Sequence, residues 1–540
     1  MKFYLSVLIF CLSFSCVSCK KQLPTPQEKV PAPRILNLNF SNDIPTLDPR
    51  RCSDPISCTM LFMLFEGLTS HSPGSSTKLA LAKHIEISKD LLTYTFTLKD
   101  AYWSNGQRII AKDFERSWKD MLTPEFPAPN ANLLYPILNA EQAKKGALPL
   151  DQVGIHCPNN HTLIVQLESP TPYFLELTSF CPLFPAYSPR AGDLPYHAEH
   201  ISKELISSGP FRVSSCKIRD KLILKQNPYY YQPSEINIDQ INISFVHEEM
   251  TALELFNQGS IDILGLFFSS IPHDALIHLK KTNQIQFKPI AATSFISFNL
   301  SSFPFNNSYI RKAVHHAINR DALIKNVTEL DETVATSLIP PILLPKEEKY
   351  SEKDFHDEAL AKEYFMKGLK QLKISAFDIP PITLTTVNSE PERQIAQAIQ
   401  DQLVNCLGLQ VKLEEVDFML YLEKAYSRNY QLVLCKAIAQ YNDQMDLLSR
   451  FAWKGNTKNY PGWENTKYSK VLEMAIKLPN INERYLLYKE ATQIMNDDLP
   501  ISPLYHFNMP YMVQPGIKGL HISPIGSVHI NSITTGNEHE

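Results

Sequence analysis

The segment Tyr94–Asp120 restricts the possible folds of this chain more than any other. Apolar and polar residues alternate from Leu92 to Lys99, which predicts a half-buried β-strand. Asn105 and Gly106 follow, and such a pair supplies the positive φ angles of a tight turn. A helix is predicted next, with an apolar face formed by Phe114, Trp118, Met121 and Leu122. The segment therefore predicts a strand, a turn and an amphipathic helix in immediate succession.

The length of the chain predicts more than one folding unit. Its 540 residues exceed the size at which a single hydrophobic core stops growing, so at least two lobes are expected. With 44% apolar and 20% charged residues, the composition is that of an ordinary folded protein. A formal net charge of −4 gives no electrostatic basis for a nucleic-acid partner, and none is expected.

The N-terminus is typical of an export signal. Lys2 supplies a positive charge, and the apolar run Phe3–Val17 is too short to span a membrane as a helix. Small residues precede Cys19 and polar residues follow it, which resembles a bacterial lipoprotein site. Residues 1–18 are therefore predicted as a signal peptide, Cys19 as the lipidated residue and residues 19–34 as a flexible tether. An ordinary secretory signal with cleavage nearby is the alternative.

The remaining cysteines leave disulfide pairing open. The sequence has ten cysteines, and seven lie beyond the signal peptide and the lipid acceptor, so they cannot all pair within the chain. An exported protein can form disulfides, and Cys157 with Cys181 is the most favoured local pair. Spacing alone does not establish connectivity.

Further motifs occur in a fixed order along the chain. They are Glu66-Gly67-Leu68, Ser208-Gly209-Pro210-Phe211, Gln226–Tyr231, Glu254–Asp262, Pro304–Asp321 and Leu499–Tyr505. Together with the Trp103–Gly106 turn, this order closely resembles the family 5 extracellular solute-binding proteins, the receptor lipoproteins of peptide ABC importers. The resemblance extends from about residue 35 to residue 505.

The resemblance implies an α/β fold: a two-lobe, three-domain periplasmic-binding-protein clamshell with an extra inserted domain. Lobe 1 is expected to be discontinuous, the insert to follow its first part, and lobe 2 to lie between its last two parts. The predicted boundaries are residues 35–58, 187–290 and 506–540 for lobe 1, 59–186 for the insert and 291–505 for lobe 2.

No catalytic, cofactor or metal site is predicted. The sequence contains no GxSxG, HExxH, GxxxxGK[ST] or GxGxxG motif. His315 and His316 are adjacent on a predicted helix, so their side chains diverge by about 100° and do not share a ligand position. They are interpreted as polar-face or hydrogen-bonded buried residues. No enzymatic activity is expected.

The resemblance places the ligand in the cleft between the lobes, where an extended peptide is held mainly through its backbone. In peptide receptors of this family, an Asp in one loop of lobe 2 binds the α-amine of the peptide. The matching loop is Ala439–Asp446, and Gln440 stands where that Asp is expected. Glutamine offers an acceptor oxygen but no charge. Loss of the charged member of a buried pair typically costs about 2–5 kcal/mol.

Two explanations for Gln440 remain open. Asp443 or Asp446 takes over the ammonium through a shifted loop, or the ligand is not an ordinary free-amine oligopeptide. A cell-wall-derived peptide or a small modified molecule would fit the second explanation. The alternative interpretation of both aspartates is a solvated loop carboxylate. Further candidate ligand contacts are Tyr441, Asn442, Phe418, Phe295, Asp43 and Ile44.

The resemblance predicts a substrate-binding protein that captures peptides or peptide-like ligands and delivers them to an ABC permease in the inner membrane. The mature protein is expected to be monomeric, periplasmic and attached to a membrane by its lipid. The alternatives are an envelope or surface lipoprotein that acts through protein interaction, and a receptor for a non-peptide small ligand.

Overall fold

The computed structural model describes residues 33–71, 77–188, 201–217, 220–351, 354–530 and 532–535. The predicted signal peptide, the lipidation residue Cys19 and almost all of the predicted tether lie outside the described residues. Within the described part, no helix is long and apolar enough to cross a membrane.

The described helices are distributed along the whole chain. They are α1 (Pro55–Leu64), α2 (Ala111–Leu122), α3 (Ala140–Lys144), α4 (Phe174–Leu177), α5 (Glu249–Asn257), α6 (Leu276–Lys281), α7 (Ser308–Ala317), α8 (Arg320–Leu323), α9 (Glu358–Leu372), α10 (Glu390–Leu407), α11 (Phe418–Ser427), α12 (Met445–Ser449), α13 (Thr466–Ile476) and α14 (Ile481–Asp498).

The described strands alternate with these helices. They are β1 (Ile35–Asn39), β2 (Thr69–His71), β3 (Thr77–Leu79), β4 (Ala82–Ile87), β5 (Thr93–Leu98), β6 (Ile155–Asn159), β7 (Thr162–Gln166), β8 (Phe211–Lys217), β9 (Lys221–Gln226), β10 (Gln240–Ser244), β11 (Ile263–Gly265), β12 (Gln286–Phe298), β13 (Thr333–Val334), β14 (Ile382–Val387), β15 (Val411–Val416), β16 (Leu432–Ile438), β17 (Ile501–Val513), β18 (Ile517–Lys518), β19 (His521–Ile522), β20 (Val528–His529) and β21 (Thr534–Thr535).

One large mixed sheet runs through the molecule in the order β15-β14-β16-β12-β17-β11-β1-β10-β9-β8, and β13 pairs with β17 beside this path. Parallel neighbours such as β1 and β10 require crossover connections, as expected for an α/β fold. A separate four-stranded sheet, β4-β5-β7-β6, lies within the predicted insert. Both faces of the large sheet contribute to the hydrophobic core.

Two strands of 13 residues each, β12 and β17, join the two halves of the large sheet. Their pairing shifts register between Pro289 and Thr293, and again between Ser294 and Phe295. The first shift contains the predicted boundary between residues 290 and 291, and Thr293 pairs with His506 near the boundary between 505 and 506. The domain boundaries remain predictions, and this irregular crossing is where we expect the lobes to hinge.

The strand, turn and helix predicted for Tyr94–Asp120 are confirmed. β5 alternates half-buried and buried residues along its length. Gly106 has a φ of 83°, in the region that glycine adopts without steric cost. The indole nitrogen of Trp103 donates to Asp113 at 3.0 Å, which ties the turn to α2. The predicted apolar face of α2 is buried. This segment forms the core of the predicted insert and does not reach the candidate ligand cavity.

Helix α7 confirms the second strong sequence pattern, because Ile310, Ala313, Val314 and Ala317 are all buried. His315 is buried and its Nδ1 lies 2.9 Å from the Ser502 hydroxyl. It fits the interpretation of a hydrogen-bonded buried histidine.

The predicted pairing of Cys157 with Cys181 is wrong. Cys181 forms a disulfide with Cys58, the two Cα atoms being 6.1 Å apart. Cys157 lies on β6 and has a free thiol, which forms a side-chain hydrogen bond with Glu115 of α2. Local spacing failed here because the true partner is 123 residues away.

Candidate functional site

The loop that follows β16 borders a cavity of about 200 Å³. Gln440 and Lys458, both of predicted lobe 2, form one wall of this cavity. Asn130 and Phe180 of the predicted insert and Phe267 of predicted lobe 1 form others. All three predicted domains therefore meet around Gln440, the residue at which this chain differs from the expected Asp.

Gln440 is the centre of a chain of hydrogen bonds that crosses the cavity wall. Its Oε1 accepts from the Lys458 ammonium at 3.4 Å, and its Nε2 donates to Asn130 Oδ1 at 2.7 Å. Asn130 in turn donates through Nδ2 to the carbonyl oxygen of Cys52 at 2.8 Å. This sequence of contacts fixes the orientation of the Gln440 amide, with its oxygen toward Lys458.

The two loop aspartates are both held by arginines. Asp443 Oδ2 accepts from Arg484 at 3.0 Å, and Asp446 Oδ2 accepts from Arg450 at 2.6 Å. Asp446 also accepts from the backbone N–H of Gln440 at 3.0 Å. The interpretation of these residues as solvated carboxylates is wrong, because Asp443 and Asp446 are only 8% and 6% exposed. In this arrangement both carboxylates already have a cationic partner.

Tyr441 packs across the boundary between two predicted domains. Its ring stacks on Tyr173 of the predicted insert, with the centroids 4.7 Å apart and the planes inclined by 12°. Tyr441 is buried, and burial raises the pKa of its hydroxyl well above the ordinary value. The next residue, Asn442, is half-buried beside this contact.

Four other predicted contact residues lie away from this cavity. Phe295 is buried in β12 within the main hydrophobic core. Phe418 begins α11, where it is 59% exposed and stacks on Tyr421. Asp43 is exposed and Ile44 is half-buried on the segment after β1. None of these four lines the cavity at Gln440, so their role in ligand binding remains a prediction.

A second, larger cavity of about 820 Å³ contains residues of β17 and the N-terminus of α10. Its lining includes Glu332, Glu390 and Glu392, and an ion pair joins Glu392 to Lys436. None of the predicted ligand residues contributes to it. We therefore take the smaller cavity as the candidate site, because it contains Gln440, the position that the resemblance assigns to the α-amine of a peptide.

Three sulfur atoms also meet at the wall of the candidate site. Cys52 Sγ lies 3.4 Å from Cys58 Sγ and 3.6 Å from Cys181 Sγ. Such a group could hold a soft metal only if all three were thiolates. The disulfide between Cys58 and Cys181 leaves a single thiol, and burial raises the pKa of that Cys52 thiol. The residues as they stand therefore do not fit a metal site.

Comparisons with known proteins agree with this architecture. The model of the bacterial extracellular solute-binding proteins, family 5, matches residues 76–459. The oligopeptide-binding protein OppA of Bacillus subtilis is 32% identical over 501 residues, covering 92% of each chain. This chain belongs to family 5.

Solved structures of the family confirm the two-lobe α/β clamshell. A periplasmic oligopeptide-binding protein of Borrelia burgdorferi superposes with a TM-score of 0.77 at 25% identity, covering 93% of this chain and 100% of that chain. Listeria monocytogenes OppA bound to peptide gives a TM-score of 0.75 at 25% identity, with 94% and 99% coverage.

Sequence analysis of this family 5 chain missed two polar residues of the site, Asn130 and Lys458. Asn130 lies 310 residues from Gln440, and nothing in its local sequence distinguishes it from other loop asparagines. Lys458 lies in the loop before α13, and burial with the nearby Arg450 charge lowers its pKa to about 8. Only the folded chain brings them together with Gln440.

Proposed function

We propose that this chain is the substrate-binding protein of an ABC importer, and that it captures peptides or peptide-like ligands for an inner-membrane permease. The observation that carries the proposal is the cavity at Gln440, which is bordered by all three predicted domains. The OppA name of the Bacillus subtilis relative and the peptide-bound Listeria monocytogenes structure support a peptide ligand.

Capture needs no covalent step. A ligand that contacts both lobes favours the closed arrangement by its differential affinity, and the crossing of β12 and β17 supplies the hinge. The cavity of about 200 Å³ is smaller than typical small-molecule sites of about 300–1,000 Å³. It therefore accommodates one end or one side chain of a ligand, and the rest of the ligand lies along the cleft.

The cellular context belongs to the same proposal. Cleavage after residue 18 and lipidation of Cys19 would hold the monomeric protein on a membrane in the periplasm, where residues 19–34 serve as a tether. A membrane-attached receptor stays within reach of its permease. Radiolabelled palmitate incorporation, compared between the full chain and Cys19→Ala, tests the anchor.

The ligand itself is tested by native mass spectrometry of the mature protein isolated from its own cells. We expect a bound peptide or peptide-like molecule, which should be absent from a sample that was unfolded, dialysed and refolded. Recovery of a non-peptide small ligand would replace the peptide assignment. Recovery of one stoichiometric protein partner, with no small ligand, would instead favour an envelope interaction protein.

A further inference from the structure

We propose that Lys458 is an anion-binding residue of this cavity, and that the ligand places a carboxylate where other receptors of the family accept an ammonium. The inference rests on the proposed capture of peptide-like ligands and specifies the chemistry of the ligand end that enters this cavity. A family member with Asp at the position of Gln440 would accept a positively charged amine there. In this chain, the same place would accept a negatively charged group.

The described groups around Lys458 leave its positive charge without an ion pair. Within the described part of the chain, the only hydrogen-bond acceptor of its ammonium is the neutral Oε1 of Gln440, at 3.4 Å. The other basic residue of the cavity, Arg450, is already neutralised by Asp446. Asp54 also lines the cavity and keeps its negative charge, but one of its oxygens accepts from the backbone N–H of Ser57 as the cap of α1, and among the described residues no hydrogen bond joins it to Lys458. Among the described residues, Lys458 thus forms no ion pair with a carboxylate; the nearby Asp446, which favours its charged form, is paired with Arg450.

The polar side chains around Lys458 also have unused hydrogen-bond donors in the described contacts. A lysine ammonium has three N–H donors, and Lys458 uses one of them on Gln440. Each amide of Gln440 and Asn130 also uses only one of its two N–H donors in the described contacts. In the described contacts, Lys458, Gln440 and Asn130 therefore keep N–H donors that complement a group with several acceptor lone pairs. A carboxylate carries such lone pairs, whereas an ammonium carries none.

The identity of residue 440 determines whether the charge of Lys458 is available to a ligand. An aspartate at this position would place a negative charge beside Lys458, and the two would neutralise each other. With glutamine, the positive charge of Lys458 remains available to a ligand. The apolar side chains of Phe180, Phe267 and Ile525 line the same cavity, and the reduced exposure to water strengthens a charged hydrogen bond there.

Two peptide derivatives that differ only at their N-terminal group provide the test. Succinyl-Ala-Ala-Ala carries a carboxylate at that end and acetyl-Ala-Ala-Ala carries none. Calorimetric titration of the ligand-stripped protein near pH 7 should show about tenfold to hundredfold tighter binding of the succinyl derivative, as expected for a charge-assisted hydrogen bond. Lys458→Met should abolish this preference, and Lys458→Arg should retain most of it.

Lys454→Met is the matched control, because Lys454 is exposed in the same loop and should leave the preference unchanged. If the wild-type protein binds both derivatives equally, or if Lys458→Met keeps the preference, the inference is wrong. If neither derivative binds, that result counts against the proposed capture of peptides. The anion site is then tested separately with glutarate, a dicarboxylate that contains no peptide. Thermal stabilisation by glutarate in the wild type but not in Lys458→Met would support an anion site, whereas no stabilisation would overturn it.

Discussion

Arg484 and Lys458 are basic residues of predicted lobe 2, and they differ in what surrounds their charge. Arg484 donates to Asp443 at 3.0 Å, and both side chains are almost fully buried. Lys458 borders a cavity, and within the described part of the chain its hydrogen-bond partner is the amide oxygen of Gln440. Arg484, which has its own buried carboxylate, holds the loop in place. Lys458 forms no such ion pair among the described residues, so its charge is available to a ligand.

The largest effect is expected from Arg484→Met. This change leaves Asp443 buried without a cation, which typically costs about 3–5 kcal/mol of folding free energy. Lys458→Met leaves no buried carboxylate without its cation and should change the free energy of unfolding by less than about 1 kcal/mol. Urea unfolding of both variants measures the difference. Asp443→Asn should recover part of the loss in the Arg484→Met background, and equal destabilisation by the two single changes would refute the comparison.

The next effect concerns free-amine peptides. Gln440→Asp restores the charge that an α-amine requires, but Lys458 would pair with the new carboxylate. We therefore expect the affinity for tri- to pentapeptides to rise by about a few-fold in the single variant. With Lys458→Met added, the gain should be about tenfold or more. Both gains lie within the about 2–5 kcal/mol that such buried charge pairs contribute. Calorimetric titration with a peptide panel measures both. No gain for any free-amine peptide in either background would count against a pocket role for Gln440.

The pH dependence of anion binding should follow the charge of Lys458. Burial and the Arg450 charge lower its pKa to about 8, while Asp446 acts in the opposite direction. Lys458 is therefore charged below pH 8 and loses its proton as the pH rises through that value. Binding of succinyl-Ala-Ala-Ala should weaken about tenfold between pH 7 and pH 9. The Lys458→Arg variant should show no such fall, and a flat profile in the wild type would exclude Lys458 as the titrating group.

The smallest effect is expected at the aromatic contact between Tyr173 and Tyr441. Their stacked rings lie 4.7 Å apart, and such pairs contribute about 0.5–1.5 kcal/mol beyond their buried area. A double-mutant cycle with Tyr173→Leu and Tyr441→Leu, measured by thermal unfolding, should give a coupling in this range. Additive effects would show that the two rings do not stabilise each other.

Sequence patterns predicted the elements whose signals are local. The strand, turn and helix of Tyr94–Asp120 and the buried face of α7 depend on residues within a few positions of one another. The family resemblance also predicted the clamshell, since its motifs are short and their order is fixed. These features need no knowledge of distant contacts.

The site itself depended on contacts that no local pattern reveals. Asp443 resembles a surface carboxylate in sequence, yet its partner Arg484 arrives from α14, 41 residues away. Phe418 is a predicted ligand contact, yet its side chain lies exposed at the start of α11. Asn130 reaches Gln440 from the predicted insert. Burial and charge pairing were set by the tertiary fold, so the sequence singled out Gln440 as a candidate but not Asn130 and Lys458, which contact its side chain.

The disulfide between Cys58 and Cys181 has a topological consequence for the predicted insert. Its two cysteines lie beside the predicted ends of residues 59–186, so this segment is a covalently closed ring attached to the rest of the chain. Cross-linking a ring of this size reduces the entropy of the unfolded chain by an amount worth roughly 5 kcal/mol in the chain-entropy model. A protease that cuts once inside the ring would release no fragment, and the two pieces would separate on a denaturing gel only after reduction.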